Sequence, residues 1–164
     1  MNKSFLIALI GLFFSVAAFS QSKAKGFVFN DKNSNNTKDN NEKGIAGIAV
    51  TNGAEVVLTD KSGYYELPVG NDNIISVIKP TGYQVPKNSD NLPQFFYIHK
   101  PVGSPAILKY RGVSPTGPLP ELINFPLKKS KETDNYTALI FGDPQVYNEE
   151  QVDYFTRGVI KEVE

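Results

Sequence analysis

Between Gly26 and His99 the chain is divided into short apolar runs, each closed by a turn residue and none long enough for a helix. The runs are GFVFN (26–30), GIAVTN (47–52), AEVVLTD (54–60), GYYELPV (63–69), NIISVIKP (73–80) and QFFYIH (94–99). Val, Ile, Tyr and Phe dominate them, which suits a pleated, half-buried backbone. The connectors carry Asn-Gly, Ser-Gly and Gly-Asn, and Asn52-Gly53 between two such runs is a strong hairpin signal. No helical period occurs before residue 145. The expected fold class is therefore mainly β, a small antiparallel β-sandwich within residues 21–100.

The texture then changes. Residues 101–126 hold six prolines, which forbid a regular ladder across most of the stretch, so residues 101–135 read as a Pro-rich connector ending in the charged LKKSKETDN. YTALIFG (136–142) is a continuous apolar run of the kind buried on both faces of a sheet. A helix start follows: Asn148 suits an N-cap, Gln151 lies three residues on, and Glu149 and Glu150 suit the positive end of a helix. Val152, Phe155, Val159 and Val163 share one helical face. Strand, tight loop and helix over 136–164 make the opening unit of an α/β layer.

Charge excludes one class of partner. With 17 Lys+Arg against 17 Asp+Glu there is no basic excess for a nucleic-acid footprint. Residues 1–20 read as a secretory signal peptide: Lys3, an apolar stretch from Phe5 to Ala18, and a small-x-small site at Ala18-Phe19-Ser20. The apolar stretch is shorter than the roughly 20 residues a bilayer requires. The chain has no Cys, hence neither a lipid-attachment cysteine nor a disulfide. A periplasmic or secreted protein with no membrane anchor after cleavage is expected, and a monomer.

DKNSNNTKDNNE (31–42) places oxygen-bearing side chains at positions 1, 3, 5, 9 and 12 of a loop: Asp31, Asn33, Asn35, Asp39 and Glu42. Position 7 is Thr37, which would offer its backbone carbonyl. That spacing lets a loop wrap Ca²⁺ in oxygen ligands. Asn36 stands where Gly is usual and is the next-best residue for a left-handed backbone. The alternative is an Asn/Asp-rich surface turn. No helices flank the loop, so a bound calcium would be structural. The stretch from Asp31 to Val69 also resembles the calcium-binding repeats of bacterial surface proteins.

Asp143 in Gly142-Asp143-Pro144-Gln145 sits at the carboxyl end of the apolar run, a position suited to metal or substrate. The order of signal peptide, calcium-type loop, β-domain, Pro-rich connector and ALIFGDPQVYNEEQVDYFTRGVI resembles exported bacterial calcineurin-like metallophosphoesterases with an N-terminal β-domain. In that family an Asp-x-His motif opens a dinuclear site of the Mn, Fe or Zn type, which activates water and clamps a phosphate ester with metals about 3.5–4 Å apart. The resemblance makes Asp143 a metal ligand and catalytic residue, with Gln145 in the place of the His. Further ligands come from later motifs, including a Gly-Asn-His segment. His99 lies in a β-run and Gly70-Asn71-Asp72 between two, so both read as structural. The resemblance thus implies an N-terminal portion that stops one helix into the catalytic domain and is inactive alone. The other reading is a stand-alone, calcium-stabilised binding or adhesion module.

Overall fold

The computed structural model describes residues 22–163, and the signal-peptide segment lies outside them. Among the described residues eight strands form two four-stranded sheets. The strands are β1 (Lys23–Asn30), β2 (Ala49–Thr51), β3 (Val56–Leu58), β4 (Tyr64–Pro68), β5 (Asn73–Val77), β6 (Tyr83–Gln84), β7 (Phe96–His99) and β8 (Phe125–Lys129). One sheet runs β4-β1-β8-β6 and the other β3-β2-β5-β7. All pairings are antiparallel except β1 with β8. Each of the six expected runs contains a strand.

Alternation along the strands builds the core between the sheets. Ala24, Val28, Tyr65, Leu67 and Leu127 from the first sheet share a buried cluster with Val50, Ile75 and Val77 from the second. The β2–β3 hairpin turns at Asn52-Gly53 as expected. Gly53 takes φ 93, and the Asn52 carboxamide oxygen accepts the N–H groups of Ala54 (2.9 Å) and Glu55 (2.7 Å).

Two strands carried no clear signal. β6 has two residues, too few for a period. β8 lies where prolines pointed to an extended connector, yet Phe125 and Leu127 enter the core. Pro126 is tolerated because β6 pairs only with Lys128 and Lys129, leaving that side of β8 open at the proline. The segment before β8 presses on β1: a Cβ on Gly26 would lie 1.9 Å from the Ile123 carbonyl oxygen. That oxygen accepts the buried Tyr65 hydroxyl at 2.7 Å, and the Ile123 N–H donates to Lys25 O at 2.8 Å. Burial pushes the Tyr65 hydroxyl far above its ordinary pKa. The first compact unit ends at Glu132.

The second unit starts at Thr133. Here Tyr136–Gly142 forms no ladder, contrary to the expected buried strand, and Tyr136 and Ile140 are 83% and 91% exposed. An isolated strand has no neighbour to take its backbone N–H and C=O groups, and this unit contains no other strand among the described residues. The helix does form, as α1 (Glu149–Gly158), followed by a 3₁₀ turn at Ile160–Glu162. Asn148 is its N-cap and accepts the Gln151 N–H at 2.9 Å, while the Gln151 carboxamide oxygen accepts the Tyr147 N–H at 2.7 Å. No described helix is long and apolar enough to cross a membrane.

Candidate functional sites: an oxygen-rich loop and a strand-end carboxylate

The loop leaves β1 at Asp31, whose N–H donates to Leu127 O at 2.9 Å. Its two terminal carboxylates turn inward, Asp31 and Glu42 each being 4% exposed. Asp31 accepts the N–H groups of Ser34 (2.6 Å) and Asn36 (2.9 Å). Glu42 accepts those of Lys32 (2.8 Å) and Asp39 (3.2 Å). Between them Asp39 accepts the carboxamide N–H groups of Asn33 (2.8 Å) and Asn35 (3.1 Å). The carboxamide oxygens of Asn33 and Asn35 accept the N–H groups of Asn35 (3.2 Å) and Thr37 (2.8 Å). Asn36 has φ 60, the left-handed turn expected of it, and Ser34 has φ 61, which the sequence did not mark.

All six predicted positions therefore lie in one curled loop, with Asp31, Asn33, Asn35, Asp39 and Glu42 joined through its hydrogen bonds. Among the described residues, none of the three carboxylates takes part in an ion pair. The Lys38 ammonium instead lies 5.3 Å from the Phe27 ring centre and reaches the Glu42 backbone oxygen at 3.4 Å. Two buried carboxylates answered by N–H groups, with Asp39 and two carboxamides in the same loop, are hard oxygen donors of the type that suits Ca²⁺ rather than a softer metal. No group of three or more His, Cys, Asp or Glu side chains stands in metal-holding geometry among the described residues.

Asp31, Ser34 and Asn36 of the loop also line a cleft of about 470 Å³ together with Lys79, Lys87 and Lys128. These lysines come from three separate segments. No local pattern in the sequence links them.

In the second unit, Asp143 and Gln145 meet. The Gln145 carboxamide N–H donates to Asp143 Oδ2 at 3.0 Å, and its oxygen accepts the Tyr147 hydroxyl at 2.9 Å. Gln145 has φ 46, a left-handed turn in the tight loop before α1. Both side chains are exposed. They supply one carboxylate and one amide, which is less than the donor set of a dinuclear site.

The residues set aside as structural are so placed. Gly70 N–H donates to Asn73 Oδ1 at 2.6 Å in the turn between β4 and β5. His99 is buried on β7 opposite Asn73, and its Nδ1 has no hydrogen-bond partner.

No curated protein matches the chain. Residues 32–112 match the family model described as the N terminal of calcineurin-like phosphoesterase, a span running from the oxygen-rich loop past β7. Residues 32–112 carry the N-terminal domain of the calcineurin-like phosphoesterases.

Proposed function

We propose that this β-sandwich is the accessory module of an exported metal-dependent phosphate-ester hydrolase, and that Asp143 and Gln145 belong to that enzyme's metal site. The family match is the observation that carries the reading. The Gln145 carboxamide N–H meets the Asp143 carboxylate at 3.0 Å, which sets the two side chains beside one another ahead of a helix and supports the reading. In such enzymes the metals supply Lewis acidity and an activated water. Within this chain, Asp143 offers the anionic oxygen and Gln145 a neutral oxygen whose orientation the Tyr147 hydroxyl holds. Residues 1–164 alone are inactive in this reading, because these two donors fall short of a dinuclear site. The test is hydrolysis of p-nitrophenyl phosphate by the purified chain with Mn²⁺. Metal-dependent turnover abolished by Asp143→Asn would overturn the inactivity. Lys3 and the apolar stretch behind it support export through a cleaved leader.

The loop supports a second element of the reading: it binds Ca²⁺ as a staple. Asp31, Asp39 and Glu42 would supply carboxylate oxygens, Asn33 and Asn35 amide oxygens, and Thr37 its carbonyl. The carrying observation is the burial of Asp31 and Glu42, whose carboxylates take part in no ion pair among the described residues. The ion would neutralise charge that the protein itself leaves to N–H dipoles.

A further inference from the structure

The outward face of the β3-β2-β5-β7 sheet is apolar where such faces are usually polar. Cross-strand partners share a face, so the ladder shows which side chains stand together. Val50, Val57, Ile75, Val77 and Tyr97 point into the core or pack against it. The alternate positions point out. One outward row runs Leu58, Ala49 and Ile78, the last placed by its N–H to Ala49 O at 2.9 Å. The next runs Val56, Thr51, Ser76 and Phe96. A third joins Ile74 to Ile98. None of these nine positions is charged. Five are large and open: Val56 59%, Leu58 67%, Ile74 53%, Ile78 52% and Phe96 45% exposed.

The other sheet follows the ordinary rule. Its outward positions include Lys23, Lys25, Glu66 and Lys128, with Lys23 paired to Glu66 at 2.6 Å. One side of the sandwich is dressed for water and the other is not.

We infer that this apolar sheet face is a self-association surface on which a second copy of the chain docks about a two-fold axis. Two properties select a second copy. A two-fold interface sets the same patch on both subunits, residue i against j and j against i, so a patch carrying charge of one sign would repel its copy. This face has none, and the chain's net charge is zero, so no long-range repulsion opposes the pairing. The area is the second property. At roughly 150–200 Å² for a whole large apolar side chain, the five half-exposed ones present on the order of 400–500 Å². Two such faces, with Thr51, Ser76 and Ile98 filling between them, bury on the order of 1,000 Å², the lower limit of a specific interface. The result is a weak, reversible dimer rather than an obligate one. It arises from the sheet alone and is independent of the phosphoesterase reading.

The experiment is sedimentation velocity on the purified chain from about 1 to about 500 μM, the range in which an interface of this size populates both states. The average mass should rise towards twice that of the chain. Leu58→Lys and Ile74→Lys should each weaken association at least about tenfold, because each buries an unpaired charge on both sides of the interface. Leu92→Lys, an exposed position off these strands, should leave it unchanged. Ser76→Lys adds a charge mid-face without removing an apolar side chain, and decides the matter if an apolar replacement unfolds the chain. A chain that stays monomeric throughout the range overturns the inference. So does a dimer that survives the face variants with unchanged circular dichroism.

Discussion

Calcium should raise the melting temperature of the β-sandwich through the loop at residues 31–42. The loop offers three carboxylates and two amides, and Asp31 and Glu42 are already held inward by backbone N–H groups, so little ordering remains for the ion to impose. Two neutral amides in place of carboxylates put the expected affinity with the weaker extracellular loops, with Kd about 10⁻⁴ to 10⁻³ M. At about 5 mM Ca²⁺, an ion that binds only the folded loop then stabilises by about 1–2.3 kcal/mol. For a unit of about a hundred residues that is a rise of roughly 4–10 °C. The assay is differential scanning calorimetry of the chain in calcium against chelator. Asp31→Asn and Glu42→Gln also remove acceptors that the calcium-free loop uses, so the readout is the calcium-dependent shift and not the absolute melting point. Both variants should lose most of that shift. Superimposable melts of the unsubstituted chain in calcium and in chelator would refute the reasoning, and so would an equal shift with Mg²⁺ at the same concentration.

Two further outcomes rest on the clamp between β1 and β8 and on the turn before β4. Gly26→Ala drives a Cβ into the Ile123 carbonyl and must displace backbone, costing the Tyr65 and Lys25 hydrogen bonds and part of the burial of Ile123, about 2–5 kcal/mol by denaturant titration; Gly70→Ala, whose Cβ meets only Asn73 Oδ1 at 3.6 Å, should stay within about 1 kcal/mol. Asp60 is held below the ordinary carboxylate range first by the Ser62 hydroxyl and then by the Tyr64 N–H. Its contribution is therefore complete above the unfolded pKa of about 3.9 and is lost as pH falls through the lower folded value. Asp60→Asn should lower stability at neutral pH, and the gap to the unsubstituted chain should close in acid.

What could be read locally was read from the residues themselves. Six of the eight strands follow from runs of Val, Ile, Tyr and Phe bounded by turn residues, because pleat and turn chemistry act over a few positions. The Asn52-Gly53 hairpin, the Asn148 cap and the left-handed turn at Asn36 are of the same kind. The oxygen spacing of the loop and the Asp143–Gln145 pair were legible too, since each lies within one short stretch of chain.

Tertiary structure decided the rest, wherever a residue's environment comes from a distant part of the chain. Pro126 argues against a strand until β1 supplies a parallel partner and β6 pairs only beyond the proline. YTALIFG argues for a buried strand, yet without a neighbouring ladder it stays open. The three lysines of the cleft meet only after β5, β6 and β8 have come together. The apolar outer sheet face belongs with them: Leu58, Ile74 and Phe96 each read as an ordinary strand residue, and only the register of four strands sets them side by side. Local sequence specifies which faces of a strand are apolar, but which of those faces is covered depends on partners that no short-range pattern encodes.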